Sequence, residues 1–237
     1  MSTVIDFHSH ILPGIDDGSK TVEQSIAMLK MEAEQGISKV IATPHFYAQH
    51  DKPELFLQRR AESEKLLRQE MAKHPNLPRL EIGAEVYYFP GISDCDALSA
   101  LTIGEKRYIL IEMPMAVWPE RVYKELESIW IKQDLVPIVA HIERYLRPFR
   151  AKEILRRLEE LPVLVQASAE FFLEKTTKYM AMRMLKQGSI HLLGSDCHNL
   201  TDRKPNMGEA VKAIRRQLGS EFIEHINRYE DEVFESL

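Results

Sequence analysis

Short runs of apolar, largely β-branched residues recur at 4–8, 39–43, 79–86, 108–113, 137–140, 163–167 and 190–194. Their apolarity is nearly continuous rather than alternating, which suits strands covered on both faces of a parallel sheet. Helical spacing fills the intervals. In the first, Val22, Ile26, Leu29 and Ala33 share a face, Thr21 with Gln24 three residues on forms a capping-box start, and Gly36 supplies a stop. A second helix is predicted over 53–73, ended by the breaker cluster His74-Pro75-Asn76-Leu77-Pro78. Further helices are predicted over 120–133, 151–160, 170–187, 207–218 and 221–227. Strand and helix alternate without a break in composition, so we expect one α/β domain of parallel strands over 1–237.

The polar positions then separate a closed barrel from an open sheet. Almost every predicted strand runs directly into His, Asp or Glu: Asp6-Phe7-His8-Ser9-His10, Ala42-Thr43-Pro44-His45, Gly83-Ala84-Glu85, Ile111-Glu112, Ala140-His141 and Gly194-Ser195-Asp196-Cys197-His198. A barrel gathers the carboxyl ends of its strands around one mouth, whereas an open sheet spreads them along an edge. The barrel accounts for the pattern better.

His8 and His10 stand two apart, so on a strand they share a face and can clasp one metal ion. A lone His-x-His is weak evidence, since two hydrogen-bonded histidines at a strand end look the same. The further strand-end groups strengthen the metal reading, because such side chains are costly to bury unpaired. Glu85 and Glu112 could be strand-end charges facing water or carboxylates bridging cations. Asp17 could be a turn residue ahead of the first helix or a ligand close in sequence to the His pair. With His45, His141, Asp196 and His198 the set reaches nine candidates, enough for two or three divalent ions. His50, His74, His191 and His225 lack a matching context and read as surface or packing residues.

Charge bears on the substrate. The 237 residues carry 31 Lys+Arg against 36 Asp+Glu, a net −5, which disfavours general binding to nucleic-acid backbones. An anionic substrate must therefore be drawn in locally. Three divalent ions with four carboxylates and a bridging hydroxide leave a positive site, and Arg144 and Arg203 lie close in sequence to ligands. A phosphomonoester dianion suits such a site, and Arg forks suit its oxygens, although either arginine alone reads as a surface residue. Only two cysteines occur, no signal peptide is apparent and no run is long enough for a membrane span, so we expect a cytoplasmic protein without a disulfide framework or membrane insertion.

Taken together, these motifs resemble the polymerase and histidinol phosphatase (PHP) superfamily. The resemblance implies a PHP-type distorted (β/α)7, TIM-like barrel with a trinuclear metal site. More narrowly, the segment from Phe7 to Gly18, Ala42-Thr43-Pro44-His45, Ile82-Gly83-Ala84-Glu85, His141-Ile142-Glu143-Arg144-Tyr145 and Gly194-Ser195-Asp196-Cys197-His198 are similar to the bacterial manganese-dependent protein tyrosine phosphatases of capsule and exopolysaccharide loci. The likeness runs from residue 4 to about 226. It implies one metal on His8, His10, Glu85 and Asp196, a second on Glu85, Glu112 and His141, and a third on Asp17, His45 and His198. It also implies that Arg144 and Arg203 are catalytic residues that bind phosphate, and that the ions are Mn²⁺, with Fe, Co or Zn as alternatives. The implied partner is a phosphotyrosine protein, a bacterial tyrosine kinase that controls polysaccharide export. The implied reaction is direct hydrolysis by a metal-bound hydroxide.

Three rivals compete with this reading, one of them a non-enzymatic protein that binds metal or a partner through the same barrel, which the complete set of ligands disfavours. Cys197 and Arg203 are spaced as in the phosphatases that use a thiolate, but the loop between them lacks glycine and contains Asp202. The metals could instead serve a small phosphomonoester such as histidinol phosphate. Tyr87-Tyr88-Phe89, just past Glu85, could border an aryl phosphate, though packing is the plainer reading.

Overall fold

The computed structural model describes residues 4–105, 107–146 and 151–235. Its strands are β1 Val4–Ser9, β2 Ile37–Ala42, β3 His45–Phe46, β4 Arg79–Ile82, β5 Glu85–Tyr87, β6 Tyr108–Glu112, β7 Val136–Val139, β8 Leu164–Ser168 and β9 Leu192–Gly194. The helices are α1 Val22–Glu34, α2 Pro53–Met71, α3 Glu120–Gln133, α4 Glu143–Leu146, α5 Ala151–Glu159, α6 Ala169–Leu173, α7 Lys178–Lys186, α8 Met207–Leu218 and α9 Glu221–Glu235.

All pairings are parallel, in the orders β1-β2-β4 and β3-β5-β6-β7-β8-β9. The expected seven strands are recovered as seven staves, two of them in two pieces. One stave bends between β2 and β3 at Thr43-Pro44, and another between β4 and β5 at Gly83-Ala84. Pairing continues across both bends, because Gly83 N–H donates to Ala42 O at 2.8 Å and Glu85 N–H to Pro44 O at 3.0 Å. The curled sheet returns on itself where Ser9 bridges Cys197 in parallel, with Asp196 N–H donating to His8 O at 2.8 Å. This is the distorted barrel implied by the sequence. Between β4 and β6 the short 3-10 turn Ile103–Glu105 stands in for a ladder, and the buried Ile103 side chain joins the interior.

Two apolar layers follow from this geometry. Ile5, Phe7, Ile41, Leu110, Ile138, Ala140 and Leu192 fill the inside together with Ile103. A larger layer joins the outer faces of the staves to the helices, including Leu29 of α1, Phe56 of α2, Leu126 of α3 and Ile214 of α8. The predicted capping residue holds, as Thr21 Oγ1 accepts from Gln24 N–H at 3.2 Å. The helix expected over 170–187 is interrupted: Thr177 Oγ1 donates to Phe171 O at 2.9 Å, and the chain restarts as α7. The helix expected over 221–227 continues to Glu235.

β1 departs from simple alternation. Asp6 pairs with Val40 but Ser9 with Ala42, so three steps of β1 face two of β2, and one residue is extra. Phe7 belongs to the interior, while His8 and His10 both reach the mouth. Asp6 is turned the other way, close to Glu32 of α1 and to Cys197.

Candidate metal centre

Strand ends from both sheet segments deliver the candidate ligands to one place. Glu85, at the start of β5 and 1% exposed, is its centre. Its Oε2 lies 3.1 Å from His8 Nε2, 3.2 Å from His10 Nε2 and 3.1 Å from His45 Nδ1, while its Oε1 lies 2.7 Å from His141 Nε2. Asp196 Oδ1 is 3.6 Å from His8 Nε2 and 3.5 Å from His10 Nε2. Asp17 Oδ1 sits between His45 Nε2 at 3.6 Å and His198 Nε2 at 3.4 Å. Glu112 Oε1 is 3.7 Å from His141 Nε2, and its Oε2 is 3.9 Å from His45 Nδ1. All nine candidate ligands thus converge.

The donor atoms gather into three compact groups: His8, His10 and Glu85; His10, Asp17, His45 and His198; and His45, Glu85 and Glu112. The grouping overlaps the implied one but differs in each set: Asp196 stands just outside the first, His10 joins Asp17, His45 and His198, and the second changes a ligand. There His45, rather than His141, completes the tight cluster, and His141 stands beside it on Glu85.

The ring orientations explain why lone pairs point inward. His10 Nδ1 donates to Asp16 Oδ2 at 2.7 Å, and His8 Nδ1 donates to Gln166 Oε1 at 3.3 Å. Each Nε2 is thereby turned inward onto Glu85 Oε2, and the two are 3.1 Å apart. Such outer partners fix tautomer and ring angle in metal sites. Gln166 Oε1 also accepts from His141 N–H at 2.7 Å, and the Tyr145 hydroxyl lies 3.2 Å from His141 Nδ1. Asp16, Gln166 and Tyr145 support the candidate ligands and were not singled out from the sequence. Only Asp16 left a signal there, a second carboxylate beside Asp17.

Backbone strain falls on two of the ligands. His141 has φ 30° and Asp196 φ 54°, left-handed values that non-glycine residues seldom adopt. Strain of this kind is retained where the surroundings enforce it, and it clusters at working sites. Gly194 precedes this turn because a Cβ there would stand 2.5 Å from His8 Cβ and 3.0 Å from His8 N. At Gly18 a Cβ would meet the carbonyl oxygen of His10 at 2.2 Å.

The electrostatics are those of a cage built for cations. Burial would raise Glu85, but charge on His8 and hydrogen bonds from His10 and His141 hold it well below the usual carboxylate range. Partial burial and the neighbouring Glu85 charge push Glu112 up to about 7. Burial and the nearby His10 push His198 down to about 4, which favours the neutral imidazole a metal requires. His45 Nδ1 and His198 Nε2 are buried atoms without a hydrogen-bond partner. Imidazole lone pairs around carboxylates, with two nitrogens left unanswered, fit divalent ions of the imidazole-and-carboxylate kind.

Arg144 and Arg203 frame the mouth. Arg144 follows β7, with Nη2 on Asp196 Oδ2 and Nη1 3.4 Å from Glu112 Oε1. Arg203 reaches in from the loop after β9, with Nη2 2.8 Å from Asp196 Oδ1 and Nη1 3.9 Å from Asp17 Oδ2. About a third of each side chain is exposed, so both remain available to a substrate. The aromatic stretch divides: Tyr88 is buried and donates to Glu125, whereas Tyr87 is half-buried with its ring 5.6 Å from that of Tyr47. Tyr47 in turn lies 5.2 Å from His45. Cys197 is buried, and burial pushes its thiol well above the ordinary value, which removes the thiolate rival.

Comparison with known proteins agrees with this arrangement. The chain is 32% identical over 238 residues to the tyrosine-protein phosphatase CpsB of Streptococcus pneumoniae, covering 92% of each protein. It is 29% identical over 225 residues to the tyrosine-protein phosphatase YwqE of Bacillus subtilis, covering 92% of this chain and 86% of YwqE. A structure from the crystallographic study of YwqE and CpsB, described as unique metal-dependent tyrosine phosphatases, superposes with a TM-score of 0.83 at 25% identity, over 96% of this chain and 93% of the other. The profile of the family described as capsular polysaccharide synthesis, CpsB/CapC, matches residues 4–233, and the chain belongs to that family.

Proposed function

We propose that the protein is a metal-dependent protein tyrosine phosphatase that hydrolyses phosphotyrosine in a bacterial tyrosine kinase governing capsule or exopolysaccharide synthesis. One observation carries this reading above all: five imidazoles and four carboxylates spread along the chain from His8 to His198 meet at one mouth, with Arg144 and Arg203 on either side of Asp196. The relatives named tyrosine-protein phosphatases support phosphotyrosine as the group hydrolysed.

His8, His10, Glu85 and Asp196 would hold one ion, Glu85, Glu112 and His141 a second, and Asp17, His45 and His198 a third. Mn²⁺ is the ion we favour. Bound divalent ions would lower the pKa of a coordinated water and set positive charge against the phosphoryl oxygens. The chain's own residues do the rest. Arg144 and Arg203 exchange their carboxylate partners for the equatorial oxygens and hold phosphorus in line for attack. Asp16 and Gln166 keep His10 and His8 in the ligating tautomer. Tyrosine departs as a phenolate of pKa about 10, so no strong general acid is needed. No protein nucleophile takes part, because the nearby thiol is buried and protonated.

The test is hydrolysis of a phosphotyrosine peptide by the wild type and His8→Ala, with EDTA and then with Mn²⁺ restored. Activity abolished by EDTA, restored by Mn²⁺ and absent in His8→Ala is expected. Metal-dependent turnover of histidinol phosphate but not of the peptide would transfer the site to a small phosphomonoester.

A further inference from the structure

A cleft of about 270 Å³ opens beside Arg144, Arg203 and Asp196 and runs outward between the loop after β9 and helix α6. Beyond the reaction site its walls are mainly acidic. Glu170 and Glu174 stand four apart along α6 and its end, both exposed, and Asp202 lies on the facing loop. The cation in this outer part, Lys204, already has Glu209 at 3.8 Å.

The inner part is polar and only partly satisfied. Ser168, at the end of β8, is 5% exposed with its hydroxyl unpartnered, and Asn206 is 8% exposed with Oδ1 unpartnered. Asn206 Nδ2 donates to Glu170 Oε2 at 3.0 Å, which ties that carboxylate to the wall. Buried polar atoms are almost always satisfied, so Asn206 Oδ1 calls for a hydrogen-bond donor from an occupant of the cleft, and the Ser168 hydroxyl can accept one as well.

We infer that this cleft is a subsite for a basic side chain, Lys or Arg, close to the phosphotyrosine of the substrate protein. The inference rests on the phosphatase reading, since the cleft begins where the phosphate would sit. An ammonium or guanidinium supplies only donors, matching the unpartnered oxygens of Ser168 and Asn206 and the carboxylates of Glu170 and Glu174. The substrate then places its anionic phosphate on Arg144 and Arg203 and its cation on the opposite wall.

The test pairs two phosphotyrosine peptides, identical except for Lys or Glu at the positions flanking the phosphotyrosine. The enzymes are the wild type and a Glu170→Gln/Glu174→Gln double variant, in which the new amide can still accept from Asn206. The wild type should favour the Lys peptide by about 10-fold in kcat/KM, mostly through KM. The double variant should bring the ratio close to one while hydrolysing p-nitrophenyl phosphate as before. Equal rates on both peptides in the wild type, or a preference that survives the substitutions, would overturn the subsite. The same pair with a phosphonate in place of the phosphate ester, followed by fluorescence anisotropy, separates binding from chemistry. A Lys preference in binding without any hydrolysis would refute the phosphatase and keep the subsite. Equal binding would refute the subsite whatever the activity.

Discussion

Asp16 Oδ2 accepts from His10 Nδ1 at 2.7 Å and from the backbone N–H of His45 at 3.1 Å, so one carboxylate orients two candidate ligands. Its Oδ1 accepts from Gly18 N–H at 2.9 Å, which shapes the turn carrying Asp17. Burial opposes charge on both partners, yet the bond holds Asp16 well below its usual range and pushes His10 up to about 10. Asp16→Asn keeps the shape and loses the charge. We expect it to weaken Mn²⁺ binding by about 10–100-fold, as outer-shell changes do. Calorimetric titration with Mn²⁺ reads this directly, and unchanged affinity would refute the role.

The two arginines make a different prediction. Arg144→Lys and Arg203→Lys keep the charge but lose the fork, so each should raise KM for a phosphotyrosine peptide by about 10-fold. Metal affinity should be nearly unaltered. Steady-state kinetics beside a metal titration will show whether the two effects separate.

Much of the site was legible because strands buried on both faces are apolar almost throughout, so a polar residue at their carboxyl ends stands out. His45, Glu85, Glu112 and His141 were found in that way. Other features left no such trace. Gln166 lies inside an apolar strand and looks like an isolated polar residue until its contacts with His8 and His141 are seen. The extra residue in β1 is invisible because Val4, Ile5 and Phe7 do not alternate with polar neighbours on both sides. The bend at Gly83-Ala84 lies inside the single strand expected over 79–86, and β3 lies past the end of the one expected over 39–43, because pairing continues through the flanking carbonyls while the apolar run does not.

Gly194 is required by close approach rather than by its torsion angles. Gly194→Ala would drive a methyl into His8, including its backbone nitrogen, which cannot move as a side-chain tip can. We expect a loss of about 1–3 kcal/mol in denaturant unfolding, together with impaired Mn²⁺ binding. Wild-type values for both would show that β1 yields more easily than its packing suggests.

Cys197 offers a clean negative. Cys197→Ala should keep the full EDTA-sensitive activity, because the thiol is sealed beneath the site. Stability should fall by about 1 kcal/mol for the small void left in the core. Loss of turnover in a variant that binds metal normally would revive a thiol mechanism.

Glu32 predicts a pH dependence of stability. Buried against Asp6, its carboxyl is raised well above its ordinary 4.5. Above about pH 4.5 the unfolded chain therefore releases a proton that the native chain still holds, and stability falls as pH rises toward the folded-state value. Glu32→Gln removes the titration, so it should gain melting temperature relative to the wild type at pH 8 compared with pH 5. Parallel curves of melting temperature against pH would refute this.

The bridge between Ser9 and Cys197 has a consequence for biosynthesis. His8 and His10 leave the ribosome well before Asp196, His198 and Arg203. A nascent chain that has made seven of the nine candidate ligands still lacks Asp196, His198 and the stave that closes the ring, and so we expect it to capture ions tightly only once β9 arrives.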